Sequence, residues 1–558
     1  MSSTWFKDSV IYQIYPMSFQ DSNHDGIGDL NGIRQRLPYL KDLGVDVLWL
    51  NPIYKSPNVD NGYDIADYES INPDYGTMAD FDALLRDMHE GGMKLLMDLV
   101  VNHTSDQHKW FQESKKSKDN PYSDFYVWRD PVDGHEPNNW GSYFSGPAWT
   151  YVPERGQYYL HLFAKEQPDL NWENPEVRKH VYDLMKFWLD KGVDGFRMDV
   201  INLISKPAGL PDAPQPDGAE YGNVEPLVAD GPRLNEFLRE MNREVLSKYD
   251  VMTVGEMPGS TPEDAIQYTN LDGTELNMVF QFQHVNLGSN DDKRLGKFSD
   301  KRIQLPELKE ALSRWQVKLD GKGWNSLYWN NHDQPRAVSR FATDDPEYRV
   351  RAAKMLGTTL HMMQGTPFIY EGEEIGMTNA HLTKLDEYED LEVHNLYKQA
   401  VEDEKIIDSE TLMKYFAARS RDNARTPMQW NDTVYAGFSD VKPWYRLNAN
   451  YPDINVENAL ADKNSVYYYY RELIKLRHEN EVIRYGDYKL LDAEDAEVFA
   501  YERNYKGQKL LVISNFTAKD VVRDYGQTDD AKMLINNYQD KNSVLEFRPY
   551  ETKVFLIK

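Results

Sequence analysis

Short apolar runs alternate along this chain with longer, helix-like segments such as 81–90 and 177–191. Such alternation is typical of parallel strands that are joined by helices packed on their outer face. Eight apolar runs in this pattern predict an α/β fold of the (β/α)8 TIM-barrel class. The eight runs are 10–16, 45–52, 94–103, 193–200, 251–257, 276–282, 326–333 and 366–376.

The alternation is interrupted twice. About 70 residues, rich in Trp, Tyr, Phe and Pro, separate the third run from the next helix, so we predict an inserted, loop-rich subdomain that overhangs the barrel mouth. After about residue 479 the chain changes to short alternating segments, which predict a C-terminal antiparallel β-sandwich. The predicted boundaries are 1–103 and 173–479 for the barrel, 104–172 for the inserted subdomain and 480–558 for the sandwich, whose strands are 488–491, 498–503, 509–515 and 553–558.

Composition narrows the class of protein. The chain has 558 residues, 40% of them hydrophobic, which is too much for one core and enough for two or three domains. A net charge of −28 argues against nucleic acid and anionic membranes as partners. There are no cysteines, no signal-peptide pattern and no apolar run long enough to span a membrane, so we expect a cytoplasmic monomer.

Acidic residues stand at the ends of three of the apolar runs. Asp199 closes the fourth run, Glu256 lies near the end of the fifth, and Asp333 ends the seventh. In a parallel barrel the carboxyl ends of the strands form a common active-site face. Retaining cleavage of a glycosidic bond needs two carboxyl groups about 5 Å apart, a separation that neighbouring strands about 4.8 Å apart can provide. We therefore predict Asp199 as a nucleophile and Glu256 as its acid/base partner.

Four segments on these runs resemble the signature regions of the α-amylase family of glycoside hydrolases. Four more resemble the oligo-1,6-glucosidase branch of that family, and the similarity extends over essentially the whole chain. The signature segments are DLVVNH (98–103), GFRMD (195–199), GE (255–256) and NHD (331–333). The branch segments are DSNHDGIGD (21–29), QPDLNW (167–172), YEGEEIGMTN (370–379) and RDNARTPMQW (421–430).

The resemblance implies roles for residues at the barrel mouth. Asp199 becomes the nucleophile, Glu256 the acid/base and Asp333 the stabiliser of the transition state. Arg197 would pair with Asp199 and keep it ionised, since a nearby cation lowers the pKa of a carboxyl group. Asp98 is structural in the family. His103 and His332 would hydrogen-bond the hydroxyls of the reacting glucose.

The resemblance also implies a pocket that is closed at one end and holds one terminal glucose. Asp60 and Arg421 would close it and Tyr63 would form its floor, so that the enzyme acts from the non-reducing end. Val200 matches the position where valine accompanies α-1,6 links and smaller or hydroxylated residues accompany α-1,4 links. Phe144, Phe163 and Gln167 would line the pocket from the inserted subdomain, while Lys297 and Glu392 would contact the next sugar. We read the remainder of the acidic stretch 386–392 as a solvated face or loop.

A metal site is predicted near the N-terminus, whereas no catalytic cofactor is expected. Oxygen-bearing residues alternate around a glycine turn and resemble the start of a calcium loop, although the closing bidentate Glu of an EF-hand is absent. A structural Ca²⁺ or Mg²⁺ is one reading and a polar turn without metal the other. The candidate ligands are Asp21, Asn23, Asp25, Asp29 and the carbonyl of Ile27. Elsewhere, Glu371 stands where the branch usually has Gln.

These residues predict a retaining, exo-acting α-glucosidase that cleaves α-1,6 links in isomaltose, short isomalto-oligosaccharides and panose. An α-1,4 preference and trehalose-6-phosphate hydrolysis are alternatives on the same scaffold, and the latter needs cationic groups beside the cleft for its phosphate. Sucrose isomerisation is disfavoured because segment 288–294 reads GSNDDKR and lacks the isomerase loop Arg-Leu-Asp-Arg-Asp. A non-enzymatic relative, such as a transporter heavy-chain ectodomain, is disfavoured because the acids are intact.

Overall fold

A computed structural model describes residues 4–527, 531–540 and 542–557. Eight parallel strands, β1 to β8, follow one another in the spatial order β6-β5-β4-β3-β2-β1-β8-β7, which is the order of a closed barrel. Each predicted run contains one strand, so the TIM-barrel prediction is confirmed. The strands are β1 Ile11–Ile14, β2 Val47–Leu50, β3 Lys94–Leu99, β4 Gly195–Met198, β5 Met252–Glu256, β6 Met278–Phe280, β7 Ser326–Leu327 and β8 Thr366–Tyr370.

The barrel is closed by a side chain at its weakest seam. The backbones of β6 and β7 are not paired in the described sheet, and β7 is only two residues long. The hydroxyl of Ser326 donates a hydrogen bond to the carbonyl of Val279, at 2.7 Å. The observed strands are shorter than the predicted runs because the polar ends of those runs leave the ladder and form the loops around the barrel mouth.

Helices cover the outer face of the barrel. The first of them begins at an Asp29 side chain that accepts a hydrogen bond from the backbone N–H of Gly32, and ends at Gly44 with φ of 98°. The eight helices that follow the successive strands are α1 Leu30–Leu43, α2 Met78–Glu90, α3 Pro175–Asp190, α4 Leu234–Glu244, α5 Pro262–Tyr268, α6 Leu305–Leu319, α7 Arg349–His361 and α8 Val466–Glu479.

Smaller elements lie between those of the barrel. A strand pair, Tyr54–Lys55 with Asp67–Ile71, follows β2. The segment between β3 and α3 contains helix Lys109–Ser114 and a three-stranded sheet of Trp128–Arg129, Gln157–Leu160 and Trp149–Val152. Further helices are Pro16–Phe19, Glu225–Val228, Ala337–Phe341, Leu391–Tyr397 with its π-helical continuation Lys398–Asp403, Ser409–Arg419, Asp422–Arg425, Val456–Ala461 and Glu481–Tyr485.

The C-terminal region forms an antiparallel sheet that packs on α7. The hydroxyl of Tyr501 donates to the carbonyl of Thr359 at 2.7 Å, and the Thr359 hydroxyl bonds to Ser514 at 2.9 Å. Lys558, the end of the last predicted strand, lies outside the described residues. In spatial order the strands are β9 Lys489–Leu491, β10 Val498–Tyr505, β11 Gln508–Asn515, β13 Thr552–Ile557 and β12 Lys532–Asn536, with Val521–Val522 and Glu546–Phe547 pairing separately.

Within the described residues, none of the helices combines the length and the apolarity needed to cross a bilayer.

Candidate active site

Three carboxylates from neighbouring strands meet on one guanidinium at the centre of the barrel mouth. Arg197 on β4 is fully buried, and its Nη1 lies 2.8 Å from Oδ1 of Asp98 and 2.8 Å from Oδ1 of Asp199. Its Nη2 lies 2.7 Å from Oε2 of Glu256 at the end of β5. Asp199 contacts one terminal nitrogen of this planar group and Glu256 contacts the other, so the two carboxyl groups lie on either side of a narrow common space.

One cation in this cluster faces three buried acids, and burial raises the pKa of two of them, Asp199 and Asp98. Burial raises the pKa of Asp199 well above its ordinary value, and the neighbouring carboxylates of Glu256 and Asp98 add to the rise, while Arg197 opposes it. Burial likewise raises the pKa of Asp98 to about 6. Arg197 does pair with Asp199 and lowers its pKa, as expected, but the guanidinium is shared and its effect is smaller than that of burial. Asp199 and Asp98 therefore hold a proton more readily than isolated carboxyl groups do.

Glu256 is anchored by one oxygen. Its Oε2 accepts a hydrogen bond of 3.0 Å from the backbone N–H of Val200, while the contact with Arg197 is an ion pair without hydrogen-bond geometry. Its Oε1 has no hydrogen-bond partner among the described residues. Val200 has φ 34° and ψ 40°, a left-handed conformation that is costly for a β-branched residue. The strained turn directs the Val200 N–H at Glu256 and leaves the second carboxyl oxygen available to a substrate.

Asp333 has the opposite electrostatic environment. Its Oδ1 accepts from Arg425 at 2.9 Å and from Arg421 at 3.2 Å, and its Oδ2 lies 3.0 Å from Nε2 of His332. Burial raises the pKa of Asp333, but the hydrogen bond from His332 and the two guanidinium groups outweigh it and hold the pKa well below its usual range. Asp333 is therefore an anion at neutral pH, as stabilisation of a positively charged sugar ring requires.

The end of the pocket is closed around Arg421. Its Nε and Nη2 donate to the two carboxyl oxygens of Asp390 at 2.8 and 2.6 Å, whereas the contact with Asp60 is longer, at 3.4 Å. The ring of Phe144 lies 5.1 Å from the guanidinium carbon. Asp390 is buried and its pKa is lowered by Arg421, so the reading of stretch 386–392 as a solvated face is wrong at this residue. Burial raises the pKa of Asp60 to about 6 despite Arg421.

The pocket floor is an aromatic and imidazole layer. The ring of Tyr63 stacks on His332 with centroids 5.1 Å apart and planes 5° apart, and its hydroxyl donates to Asp98 at 2.9 Å. His103 lies 3.1 Å from the Tyr63 carbonyl through Nε2, and Gln167 donates to Asp60 at 3.1 Å. Burial lowers the pKa of both His103 and His332 to about 4, so both rings are neutral at pH 7.

The inserted segment and helix Leu391–Tyr397 complete the wall. The ring of Phe163 lies 5.3 Å from His103 and 5.4 Å from Phe144. The carbonyl of Phe144 accepts a hydrogen bond of 3.0 Å from Asn395 on that helix. Lys297 pairs with Glu392 at 2.7 Å beside a cleft of about 700 Å³. Contacts thus join the residues predicted to bind substrate into one cluster, which Lys297 and Glu392 reach through Arg421.

Sequence reasoning missed three groups that shape this pocket. Arg425 and Asp390 are described above. The third, Gln13, links Asn51 and His332 through its amide nitrogen, at 2.9 and 3.0 Å, and Asn51, a polar end of the second apolar run, donates to the Tyr63 hydroxyl at 2.6 Å. Arg425 lies in the RDNARTPMQW segment, which is a signal that could have found it. Nothing in the sequence relates Gln13 or Asp390 to the site.

The predicted metal loop is a separate structure. Asp21 accepts hydrogen bonds from the backbone N–H groups of Asn23, His24 and Gly26 at 2.8–3.0 Å, and from the hydroxyl of Ser439. Asp29 caps α1, and Asp25 accepts from the Asn23 side chain at 3.0 Å. Across the described ranges no group of three or more His, Cys, Asp or Glu residues is gathered to hold a metal. The calcium site, including the carbonyl of Ile27, stays a prediction.

Acids from β4, β5 and the loop after β7, gathered around a closed pocket at the carboxyl face of a parallel barrel, define a carbohydrate-cleaving barrel enzyme, a glycoside hydrolase. A family model described as the catalytic domain of alpha amylase matches residues 13–486. The chain therefore belongs to the alpha-amylase family of glycoside hydrolases.

The relatives agree with this assignment over the full length of the chain. The chain is 55% identical to an oligo-1,6-glucosidase of Parageobacillus thermoglucosidasius, with 100% of both sequences covered. It is 48% identical to a crystal structure of Bacillus licheniformis trehalose-6-phosphate hydrolase, at a TM-score of 0.91 and 99% coverage of both chains. It is 41% identical to an isomaltulose synthase structure from Klebsiella sp. LX3, at a TM-score of 0.95 and 100% coverage.

Proposed function

We propose that this protein is a retaining α-glucosidase that removes single glucose units from the non-reducing ends of α-1,6-linked glucose oligosaccharides. The observation that carries the proposal is the shared contact of Asp199 and Glu256 with Arg197, at 2.8 and 2.7 Å. Two carboxyl groups on adjacent strands suit the short separation of a double displacement, since an inverting enzyme needs a wider gap for water.

In the first half of the reaction, Asp199 attacks the anomeric carbon while Glu256 protonates the departing glycosidic oxygen. A covalent bond forms between the Asp199 oxygen and glucose as the glycosidic bond breaks, and the proton leaves with the aglycone. In the second half, Glu256 removes a proton from water, the water oxygen attacks the same carbon, and Asp199 departs as a carboxylate. The anionic Asp333 stabilises the oxocarbenium-like charge in both steps.

Release of one glucose at a time is supported by the closed end of the pocket. Arg421, held by Asp390 and also contacting Asp60, blocks extension of the chain beyond the terminal glucose. His103 and His332 are neutral at pH 7, so they add no charge to the space for the terminal glucose. The α-1,6 preference is supported by Val200, which is 9% exposed, and by the 55% identical relative named oligo-1,6-glucosidase.

Trehalose-6-phosphate hydrolysis is the second candidate, favoured by the 48% identical crystal structure. A phosphate on the departing sugar needs uncommitted cations on the cleft wall. There, Lys297 is paired with Glu392 and Arg294 with Asp292, which leaves Lys293 without an ion pair among the described residues, while Glu220 and Glu225 add negative charge. This balance of charge supports a neutral departing sugar.

Initial rates on isomaltose, panose, maltose, sucrose and trehalose 6-phosphate test the proposal. We expect the highest kcat/KM on isomaltose or panose, with α-glucose as the first product by NMR. The variant Asp199→Asn should lose several orders of magnitude in turnover while keeping its thermal midpoint, and Asp212→Asn, an exposed aspartate, is the matched control. Fastest turnover of trehalose 6-phosphate, or β-glucose as first product, would contradict the proposal. The monomeric state also stays a proposal, to be tested by light scattering.

A further inference from the structure

A cavity of about 600 Å³ lies between the barrel and the C-terminal sheet, away from the sugar pocket. One wall comes from segment 299–308, helix Ala337–Phe341 and the end of helix Ser409–Arg419, and the other includes Ala496, Phe516 and Tyr550 of the C-terminal region. Five lysine and arginine residues line the cavity against two aspartates, and three of the five, all arginines, have no ion pair among the described residues, whereas Lys301 pairs with Asp291 and Lys414 with Glu410. This is unusual on a chain whose net charge is −28. The charged lining residues are Lys301, Arg302, Arg340, Lys414, Arg419, Asp300 and Asp344.

Two of these guanidinium groups are fixed side by side. Arg340 donates through Nη2 to the carbonyl of Leu287, and Arg419 donates through Nη1 to the carbonyl of the next residue, Gly288, at 3.3 Å. The second nitrogen of Arg419 donates to Val285 at 3.2 Å. Since both side chains are tied to the same four-residue turn, their positive charges are held close together. In keeping with this, burial and then Arg419 lower the pKa of Arg340 to about 9.

The two groups have no carboxylate partner in the part of the chain that the structure describes, and neither has Arg302 on the rim of the cavity. Asp344 is already paired with His381 at 2.9 Å. Arg419 is 1% exposed, and its Nε has no hydrogen-bond partner among the described residues. A buried cation without a counter-charge is costly, and two adjacent ones more so. A planar guanidinium group matches the oxygens of a phosphate group. Several N–H donors of Arg340 and Arg419 have no partner among the described residues.

We propose that this cavity is a binding site for a phosphate monoester, with the phosphate bound by Arg340, Arg419 and Arg302. The volume exceeds that of a free phosphate ion, and the apolar side chains of Ala496 and Phe516 can cover the carbon skeleton of a small phosphorylated metabolite. The site is distinct from the sugar pocket, although Arg419 is only two residues before Arg421, which closes that pocket.

Binding of inorganic phosphate and of glucose 6-phosphate to the full-length protein, by calorimetry at low salt, tests this site. Glucose is kept saturating throughout so that the sugar pocket is filled. We expect saturable binding that weakens by about tenfold or more in Arg340→Gln and in Arg302→Gln, and that falls with added NaCl. If Arg340→Gln does not fold, Arg302→Gln still tests the site, because it changes an exposed side chain and leaves the fold intact. Arg314→Gln, whose exposed arginine pairs with Glu263, is the matched control and should bind as the unaltered protein does.

Tighter binding of glucose 6-phosphate identifies a sugar phosphate as the ligand, and equal binding of phosphate identifies the free anion; both support the site. If neither inorganic phosphate nor glucose 6-phosphate binds, the proposal is overturned. Binding that survives in both Arg340→Gln and Arg302→Gln would overturn it as well, because the anion would then lie elsewhere. Loss of binding in Lys293→Gln alone would place the phosphate in the cleft beside the sugar pocket instead.

Discussion

Replacing Arg197 with glutamine removes the guanidinium that three buried carboxylates share, and we expect both stability and turnover to fall. Arg197 and Asp98 are completely buried, and the side chains of Asp199 and Glu256 are 10% and 6% exposed. Removing one partner of a buried ion pair typically costs about 3–5 kcal/mol. A second route gives a similar magnitude. A carboxyl group that must stay neutral in the folded protein at pH 7 destabilises the fold by about 4 kcal/mol. Its unfolded-state pKa lies about 3 units below pH 7, and each unit corresponds to about 1.4 kcal/mol.

The sign of the pH dependence separates this explanation from a simple packing defect. A carboxyl whose pKa is raised in the folded state destabilises the protein above its unfolded-state pKa, and this cost vanishes as the pH falls toward 4. The difference in thermal midpoint between the unaltered protein and Arg197→Gln should therefore be largest near pH 8 and shrink toward pH 5. At pH 7, kcat/KM on isomaltose should fall at least about 100-fold, because loss of the guanidinium raises the pKa of the nucleophile further and leaves less of it ionised.

Thermal unfolding at pH 5 to 8 and steady-state hydrolysis of isomaltose are the measurements. The double variant Arg197→Gln with Asp98→Asn should regain part of the lost stability, because one acid is removed, and none of the activity. Arg314→Gln, an exposed arginine paired with Glu263, should change stability by at most about 1 kcal/mol. A loss of stability that is the same at every pH, or kcat/KM within threefold of the unaltered protein, would refute the reasoning.

Four further outcomes follow from the site and its surroundings. Arg425→Gln removes the 2.9 Å contact with Asp333, so kcat/KM at pH 7 should fall about 10- to 100-fold and the acid limb of the pH profile should move to higher pH. An unmoved acid limb would contradict the role of Asp333 as the anion that stabilises the transition state. Glu371→Gln should stabilise the protein increasingly above pH 4.5, by up to about 1.4 kcal/mol per pH unit, because burial raises the pKa of Glu371 and glutamine can still accept from the Tyr15 N–H; a pH-independent thermal midpoint difference would contradict this. Val200→Thr should raise the maltose-to-isomaltose ratio of kcat/KM by about tenfold, and an unchanged ratio would place linkage choice elsewhere. Calcium at 100 times its Kd should stabilise the fold by about 2.7 kcal/mol in a manner lost in Asp21→Asn, and a thermal midpoint insensitive to both calcium and chelator would reject the metal.

The apolar runs and their polar ends were sufficient to predict the barrel and to bring Asp199 and Glu256 together. The reason is that barrel strands repeat at a fixed spacing, so residues at successive strand ends necessarily share one face. Asp390 escaped this reasoning because its partner Arg421 is 31 residues away on an irregular segment, and an acidic stretch is indistinguishable in sequence from a solvated surface. The raised pKa of Asp199 could not be predicted in this way, because burial is a property of the folded chain. The seam between β6 and β7 depends on Ser326, whose hydroxyl carries no signal along the chain.

The cluster around Arg197 and the cluster around Asp333 differ in their balance of charge, and this difference gives them different roles in the pocket. Around Arg197, three buried acids share one positive charge, and burial raises the pKa of Asp199 and of Asp98. Around Asp333, two guanidinium groups hold the carboxylate in its charged form, so a proton does not reside there. Departure of the leaving group needs a proton beside the glycosidic oxygen and a fixed negative charge beside the sugar ring. The surplus of acids on one side and of cations on the other provides both at the same pH.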